Sequence, residues 1–318
     1  MAITLAESAK LSTDALTQGV LETFVQSSPV LDRIPFIEIQ GNSYAYNMEA
    51  TLPGVAFRDV NEAYTESTGV VNQKSERLYI LGGDADVDRF IEQTRSNLND
   101  QRAVQTTLKV KALSYAFQDA FFNGDTSVNA KGFDGLKKRL TGKQVLDAGT
   151  NGLPVLGSSN TDIHKFLDKL DELLASVDGI DETNGAIYAN SAILSKIRSA
   201  GRHISADLLI GEDITGKRVT MWNGIPILDA GNKPDGNAIL PVNETQGTAQ
   251  NTSSLYAVRY GQGEGETGVA GLTNGGVQVD DLGLLQDKPV YRTRVELYAG
   301  LAVFGGKAAA RLKGVVNG

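Results

Sequence analysis

Cysteine is absent from this chain, and only two histidines occur, His164 and His203. Without cysteine there is no disulfide framework, no thiolate zinc site and no cysteine nucleophile, a composition that fits a reducing compartment. The two histidines fall in different elements. No G-x-S-x-G motif accompanies them, so neither a metal set nor a nucleophile relay is assembled. Positive charge is also in deficit. Thirty Lys and Arg stand against 38 Asp and Glu, a net charge of −8, which excludes a generally basic nucleic-acid binder. No apolar run is long enough for a membrane span. The N-terminal MAITLAESAK has no basic region followed by an apolar core, so no secretory signal is expected. What remains is globular. The chain has 318 residues, 41% hydrophobic and 21% charged, enough for one or two domains with a real core.

One stretch organises the rest. From about Asp86 to Asn123 apolar residues recur at Phe90, Ile91, Leu98, Val104, Leu108, Ala112, Leu113, Ala116, Phe117, Ala120 and Phe121. These spacings of three, four and seven predict a long helix. Asp84, Asp86 and Asp88 suit the positive end of its dipole, and Asn123-Gly124 suits a left-handed C-terminal cap. Its length would be roughly 54 Å. The stripe is broken near Asn99 to Arg102, which predicts a spine packed against several elements rather than a free coiled coil.

Ahead of the spine, Leu16, Val20, Leu21, Phe24 and Val25 form a short amphipathic helix in an N-terminal arm. Phe36 to Gln40 and Ser43 to Glu49 read as strands joined by a Gly41-Asn42 hairpin turn, with Arg77 to Leu81 as a third strand. Between Leu52 and Lys74 there are too few apolar residues for a separate core. So long a structureless loop inside a compact domain is improbable unless functional. The reading is an extended β-arm, covered by another subunit. Arg58, Asp59, Glu62, Glu66, Lys74 and Arg77 are its candidate contact residues.

After the spine, helices are predicted from Thr161 to Gly179 and from Asn190 or Ser191 to Ser199, with a buried strand at Ala186 to Ala189. Arg218 to Trp222 and Ile225 to Leu228 flank Asn223-Gly224, a type I′ hairpin signal. Leu255 to Tyr260 is a further strand. Val290 to Gly300 alternates polar and apolar residues as a half-buried antiparallel strand does. Strands in hairpins with separate helices define an α+β class.

Three motifs suggest chemistry, and each has a plainer reading. Gly263-Glu264-Gly265-Glu266-Thr267-Gly268 matches G-x-G-x-x-G, but no helix follows and two glutamates would repel phosphate, so it is a glycine loop. Asp84-x-Asp86-x-Asp88 begins like a calcium loop, yet Arg89 and Arg95 occupy the glycine and glutamate positions, which leaves a helix start. Two basic runs, Lys131, Lys137, Lys138, Arg139 and Lys143, then Lys307, Arg311 and Lys313, are either salt-bridge partners or a face toward an anionic polymer. No catalytic, metal or cofactor residue is assigned, and no enzyme activity is expected.

An ordered set of segments carries a family resemblance. They are SSPVLDRIPF at 27–36, TLPGVAFRDVNEAYTESTG at 51–69, LGGDADVDRFI at 81–91, DAFFNGD at 119–125, FDGLKKRL at 133–140, NGAIYANSAILSKIRSAG at 184–201 and GKRVTMWNGIPILDAG at 216–231. In this order the chain resembles the major capsid proteins of tailed bacteriophages, with the Hong Kong 97-type fold. The resemblance implies an N-terminal arm at 1–35 and an E-loop at 36–82. It implies a peripheral domain at 83–154 with the spine helix at 86–123, a mainly axial domain at 155–274, and a return to the peripheral domain at 275–318. It implies self-assembly as pentamers and hexamers into an icosahedral shell around double-stranded phage DNA. Assembly would take place in the host bacterial cytoplasm, with separate scaffolding, portal and decoration proteins as further partners and no membrane. A bacterial nanocompartment of the encapsulin kind is the alternative on the same fold.

Overall fold

The computed structural model describes residues 28–95, 101–204, 210–212, 218–233, 235–263 and 265–317. The expected N-terminal amphipathic helix, Asn99 and Asp100 of the expected break in the stripe, and Glu264 lie outside them.

The chain opens with β1 (Phe36–Glu38), β2 (Ser43–Thr51), β3 (Val70–Arg77) and β4 (Tyr79–Asp88). The spine follows as α1 (Arg89–Arg95) and α2 (Gln101–Asn123), then a short α3 (Leu136–Arg139), β5 (Val145–Asp147) and β6 (Leu153–Pro154). Next come α4 (Asn160–Ala175), β7 (Gly185–Ala189), α5 (Ser191–Ile204), β8 (Ile210–Glu212), β9 (Arg218–Trp222) and β10 (Ile225–Asp229). The chain closes with β11 (Glu244–Gln246), β12 (Ala249–Arg259), β13 (Gly268–Leu284), β14 (Val290–Phe304) and β15 (Ala309–Val316).

Two sheets form the body. One has the order β1-β13-β14-β4; the other, nine-stranded, runs β5-β15-β12-β7-β10-β9-β8, with β11 and β6 on its flanks. The last strand, β15, therefore lies beside β12, and the stretch from 275 onward divides between both sheets. Residue 274 falls inside β13.

Alternation along the strands sorts the core. On β7 and β12, Ala186, Tyr188, Tyr256 and Val258 face one apolar cluster, while Ile187, Ala189, Leu255 and Ala257 face another. The second cluster is roofed by α4, through Ile163, Phe166, Leu170 and Leu174, and by α5, through Ile193 and Ile197. The first receives the C-terminal half of α2. Val110, Leu113, Phe117 and Phe121 recur at helical spacing and are buried there, together with Val295, Leu297 and Leu301 of β14. Phe122 sits between Tyr188 and Tyr256, each ring centroid 5.4 Å away. The spine thus joins the two sheets through its apolar face.

Several expectations need correction. The spine begins at Arg89, because residues up to Asp88 belong to β4. Only Asp88 acts as a helix start, its carboxylate accepting the Phe90 N–H at 2.8 Å. Asp84 and Asp86 instead form a cross-strand ladder. Arg294 Nε lies 2.8 Å from Asp84, and Arg292 Nη2 2.6 Å from Asp86. The helix ends at Asn123, but Gly124 is not left-handed. It is glycine because a Cβ there would strike the Phe133 and Ala120 carbonyl oxygens. Gly41-Asn42 does not close a hairpin, because β1 pairs parallel with β13 and β2 pairs with β3. Arg77 ends β3, and the expected third strand from Arg77 to Leu81 falls across the end of β3 and the start of β4. The helix expected from Thr161 begins at Asn160, after an extended Ser159, while Asn190 caps α5 through the Ala192 N–H.

The Asn223-Gly224 hairpin forms as expected, with φ of 50° and 79°. A Cβ on Gly224 would meet nothing within 4 Å. Gly224→Ala should therefore cost about 1 kcal/mol through backbone strain alone, read as a shift in the urea midpoint at unchanged m.

The acidic ladder sets a pH dependence. The Arg294 hydrogen bond holds Asp84 below its ordinary value of 3.8, and the Arg292 bond does the same for Asp86. A lowered folded-state pKa gives stability present above the ordinary value and lost as pH falls through the lowered one. Wild type should lose stability below about pH 4. Arg292→Gln should flatten that decline, and an unchanged acid slope would contradict the linkage.

Candidate assembly interface

β2 and β3 form a two-stranded arm, in register from Ser43 opposite Arg77 to Thr51 opposite Val70. Two strands alone do not stabilise themselves in water. The root is held by the body. Tyr46 is 2% exposed, its ring 5.0 Å from Phe304, and its hydroxyl donates to the Val303 carbonyl at 3.1 Å. Burial, then the neighbouring Glu76 carboxylate, pushes the Tyr46 phenol up to about 12. On the facing strand Glu76 takes a bidentate pair from Arg139 of α3, at 2.5 and 2.7 Å. Burial works against the Arg139 charge, but the Glu76 hydrogen bond and charge, with Tyr46 and Asp134 nearby, together outweigh it and raise the guanidinium further.

Beyond the root no described residue outside the arm buries it. Leu52, Val55, Phe57, Val60, Tyr64, Val70 and Val71 are all exposed, Val55 to 95%. An exposed apolar surface of this kind marks an interaction site. The tip is nonetheless ordered by its own bonds. The Glu62 N–H donates to the Asp59 carbonyl at 3.2 Å, and the Asp59 N–H to the Glu62 carboxylate at 3.1 Å. Arg58 donates to the Asp59 and Glu62 carbonyls and lies 5.1 Å over the Tyr64 ring. Asn61 takes φ +69° at the turn. Of the arm residues expected from sequence, the structure brings Arg58, Asp59 and Glu62 together. Glu66 stands apart along the loop, and Lys74 and Arg77 lie exposed on β3.

The first basic run is largely spent inside the chain. Lys137 pairs with Glu244 at 3.0 Å, and Lys138 with Asp125 at 2.7 Å and Asp134 at 2.9 Å. Arg139 is the root partner of Glu76. Lys131 and Lys143 are exposed. Of the second run, Arg311 pairs with Glu244 and Lys313 with Asp147, and Lys307 is exposed. Sequence reasoning missed Glu76 and Tyr46, and left Arg139 open between a salt bridge and an anion-facing patch; it is a salt-bridge partner. The 63 residues between Glu76 and Arg139 leave no local signal.

The remaining motifs are not brought together. Gly268 opens a strand, so no helix follows the glycine loop. His164 and His203 are exposed and separate. Among the described residues no group of three or more His, Asp or Glu is placed to hold a metal ion, and no helix is long and apolar enough to cross a membrane.

An exposed two-stranded arm rooted on a spine helix and two sheets is the architecture of the Hong Kong 97-type fold. The comparisons agree. The chain is similar to the SrpI encapsulin of Synechococcus elongatus PCC 7942, with 18% identity over 91% of this chain and 87% of that one and a TM-score of 0.65. It is similar to the capsid of a native GTA particle, with 15% identity, 92% and 91% coverage and a TM-score of 0.62. It is also similar to a chain of Mycobacterium phage Bobi, with 13% identity, 98% coverage of both chains and a TM-score of 0.59. No curated protein matches the sequence. Residues 12–163, just under half of the chain, match the family described as Major capsid protein GP7. The likenesses to solved structures show the Hong Kong 97-type fold.

Proposed function

We propose that copies of this chain assemble as pentamers and hexamers into a closed icosahedral shell that encloses packaged double-stranded DNA. The observation that supports it is the arm. Seven large apolar side chains stand in solvent on a segment with no core, which is stable only when a neighbour covers it. In a closed symmetric assembly each copy lends an arm and receives one, so every such surface is buried once. The four-stranded sheet with α1 and α2 is the peripheral domain in this reading. The nine-stranded sheet with α4 and α5 is the axial domain, which meets its copies about the five- and six-fold centres. Of the first basic run, Lys131 and Lys143 are left for non-specific contact with DNA phosphates; Lys137, Lys138 and Arg139 have carboxylate partners of their own. Separate scaffolding, portal and decoration proteins complete the particle, and assembly occurs in the host bacterial cytoplasm.

The encapsulin likeness supports a second reading, a nanocompartment with protein cargo. Nuclease treatment of particles isolated from producing cells separates the two. Protected double-stranded DNA of uniform length supports the capsid. Nuclease-treated particles holding a single co-purified enzyme and no DNA would establish the nanocompartment instead.

A further inference from the structure

One helix face carries charge of a single sign. α5, Ser191–Ile204, has no carboxylate, in a chain whose acids outnumber its bases. Its apolar half, Ile193, Leu194, Ile197 and Ala200, is buried against the nine-stranded sheet. The other half turns outward. Ser191, Ser195, Arg198 and Arg202 follow at spacings of four, three and four, a straight stripe on a helix, and all are exposed. Half-buried Lys196 and exposed His203 flank the stripe.

These cations are not spent inside the chain. Among the described residues Lys196, Arg198 and Arg202 have no carboxylate partner, unlike Lys137, Lys138 and Arg139. Arg198 makes one bond, from Nε to the Thr220 hydroxyl at 2.9 Å. That bond fixes the guanidinium and leaves both Nη groups as donors. Neighbouring acids do not neutralise the face. On α4, Asp162 and Glu172 pair with Lys165 and Lys169. Asp171 accepts from Trp222 and Asn223, and Asp168 stands exposed. Asp229 of β10 accepts the Gly231 N–H. Asp207, Glu212 and Asp213 follow α5 with side chains outside the described ones. Lys196, Arg198, Arg202, Lys217 and Arg218 outnumber these three. A helix dipole favours Arg202 and His203 in the last turn, but not Lys196 and Arg198 in the middle.

Guanidinium, ammonium and hydroxyl donors side by side are the groups that hold phosphate oxygens, and an arginine fork grips them bidentately. We propose that the outward face of α5 is a surface by which the chain holds the phosphate backbone of packaged double-stranded DNA. This rests on the shell reading above and adds a second set of contacts to Lys131 and Lys143.

Anisotropy of a labelled random-sequence duplex, titrated with the purified full chain across a salt series, reads the contact. Arg198→Gln/Arg202→Gln should weaken binding about tenfold at low salt and reduce the log–log salt slope by about 2, near one per lost phosphate contact. Lys196→Gln/Arg202→Gln leaves the Thr220 bond in place and should act in the same direction. Lys165→Gln/Lys169→Gln removes the same charge from paired positions on α4 and should bind as wild type. All three variants should melt as wild type does. A wild-type chain that does not bind the duplex, or α5 variants that bind as wild type, would overturn the proposal. An equal loss in the α4 variant would overturn it too, because net charge would then be the cause. Variants of α5 that bind DNA normally but no longer assemble would assign the face to an acidic surface of another copy instead. A wild-type chain that binds through α5 yet never closes shells would contradict the shell reading and leave the phosphate surface standing.

Discussion

Replacing residues 54–67 by a Gly-Gly turn should leave a folded, soluble subunit that no longer closes shells. The excised loop is exposed throughout, and Ser67 lies within hydrogen-bond reach of Gly54, so a short turn can bridge the gap. None of its side chains belongs to the three apolar clusters of the body. Subunit melting should therefore stay within a few degrees of wild type, as surface changes remote from a core do. Assembly should fall by at least tenfold, because the lost surface is what one copy gives to another. Light scattering against protein concentration reads the difference. Shells that close at normal yield and survive heating would show that the arm does not hold them.

The second large effect concerns the root. Arg139→Ala should destabilise the subunit by about 3 kcal/mol, since it leaves a mostly buried Glu76 carboxylate without its partner. Replacing both residues, Glu76→Met with Arg139→Met, should recover most of the loss, because no buried charge then remains. The double variant should still unlock the arm, since the bidentate pair is what ties β3 to α3. Urea unfolding of the disassembled subunit measures the first effect. A loss below about 1 kcal/mol for Arg139→Ala would mean that solvent reaches the pair and the root is not fixed by it.

These two cases also mark what the sequence reveals and what it hides. Local chemistry is legible. Asn223-Gly224 forms its turn because glycine and asparagine accept positive φ at little cost. The stripe through Val110, Leu113, Phe117 and Phe121 is helical and faces the core because its period matches the helix. The alternation after Val290 becomes β14, with Thr293, Val295, Leu297 and Ala299 turned inward. The lack of a core of its own after Leu52 is legible too, and the apolar residues there stand exposed.

Partner choice is not legible. Phe36 to Glu38 carries the pattern of a strand, but nothing local says that it pairs with β13, more than 230 residues away, rather than with the next strand. The acids at 84 and 86 fit a helix start as well as a strand. Only the matching Arg292-x-Arg294 on a distant strand separates the two, and the shared period of two was the available signal. Lys137, Lys138 and Arg139 look like a basic patch in one dimension. In the fold each meets a carboxylate, Lys138 locally and Lys137 and Arg139 from far along the chain, and of this run Lys131 and Lys143 are left.

The most direct measurement is negative-stain electron microscopy of the purified chain, with light scattering on the same fraction, alone and co-expressed with candidate scaffolding proteins. Closed particles of uniform diameter, tens of nanometres across, are the expected result. A dimer or small ring that persists under both conditions would contradict a shell-forming role.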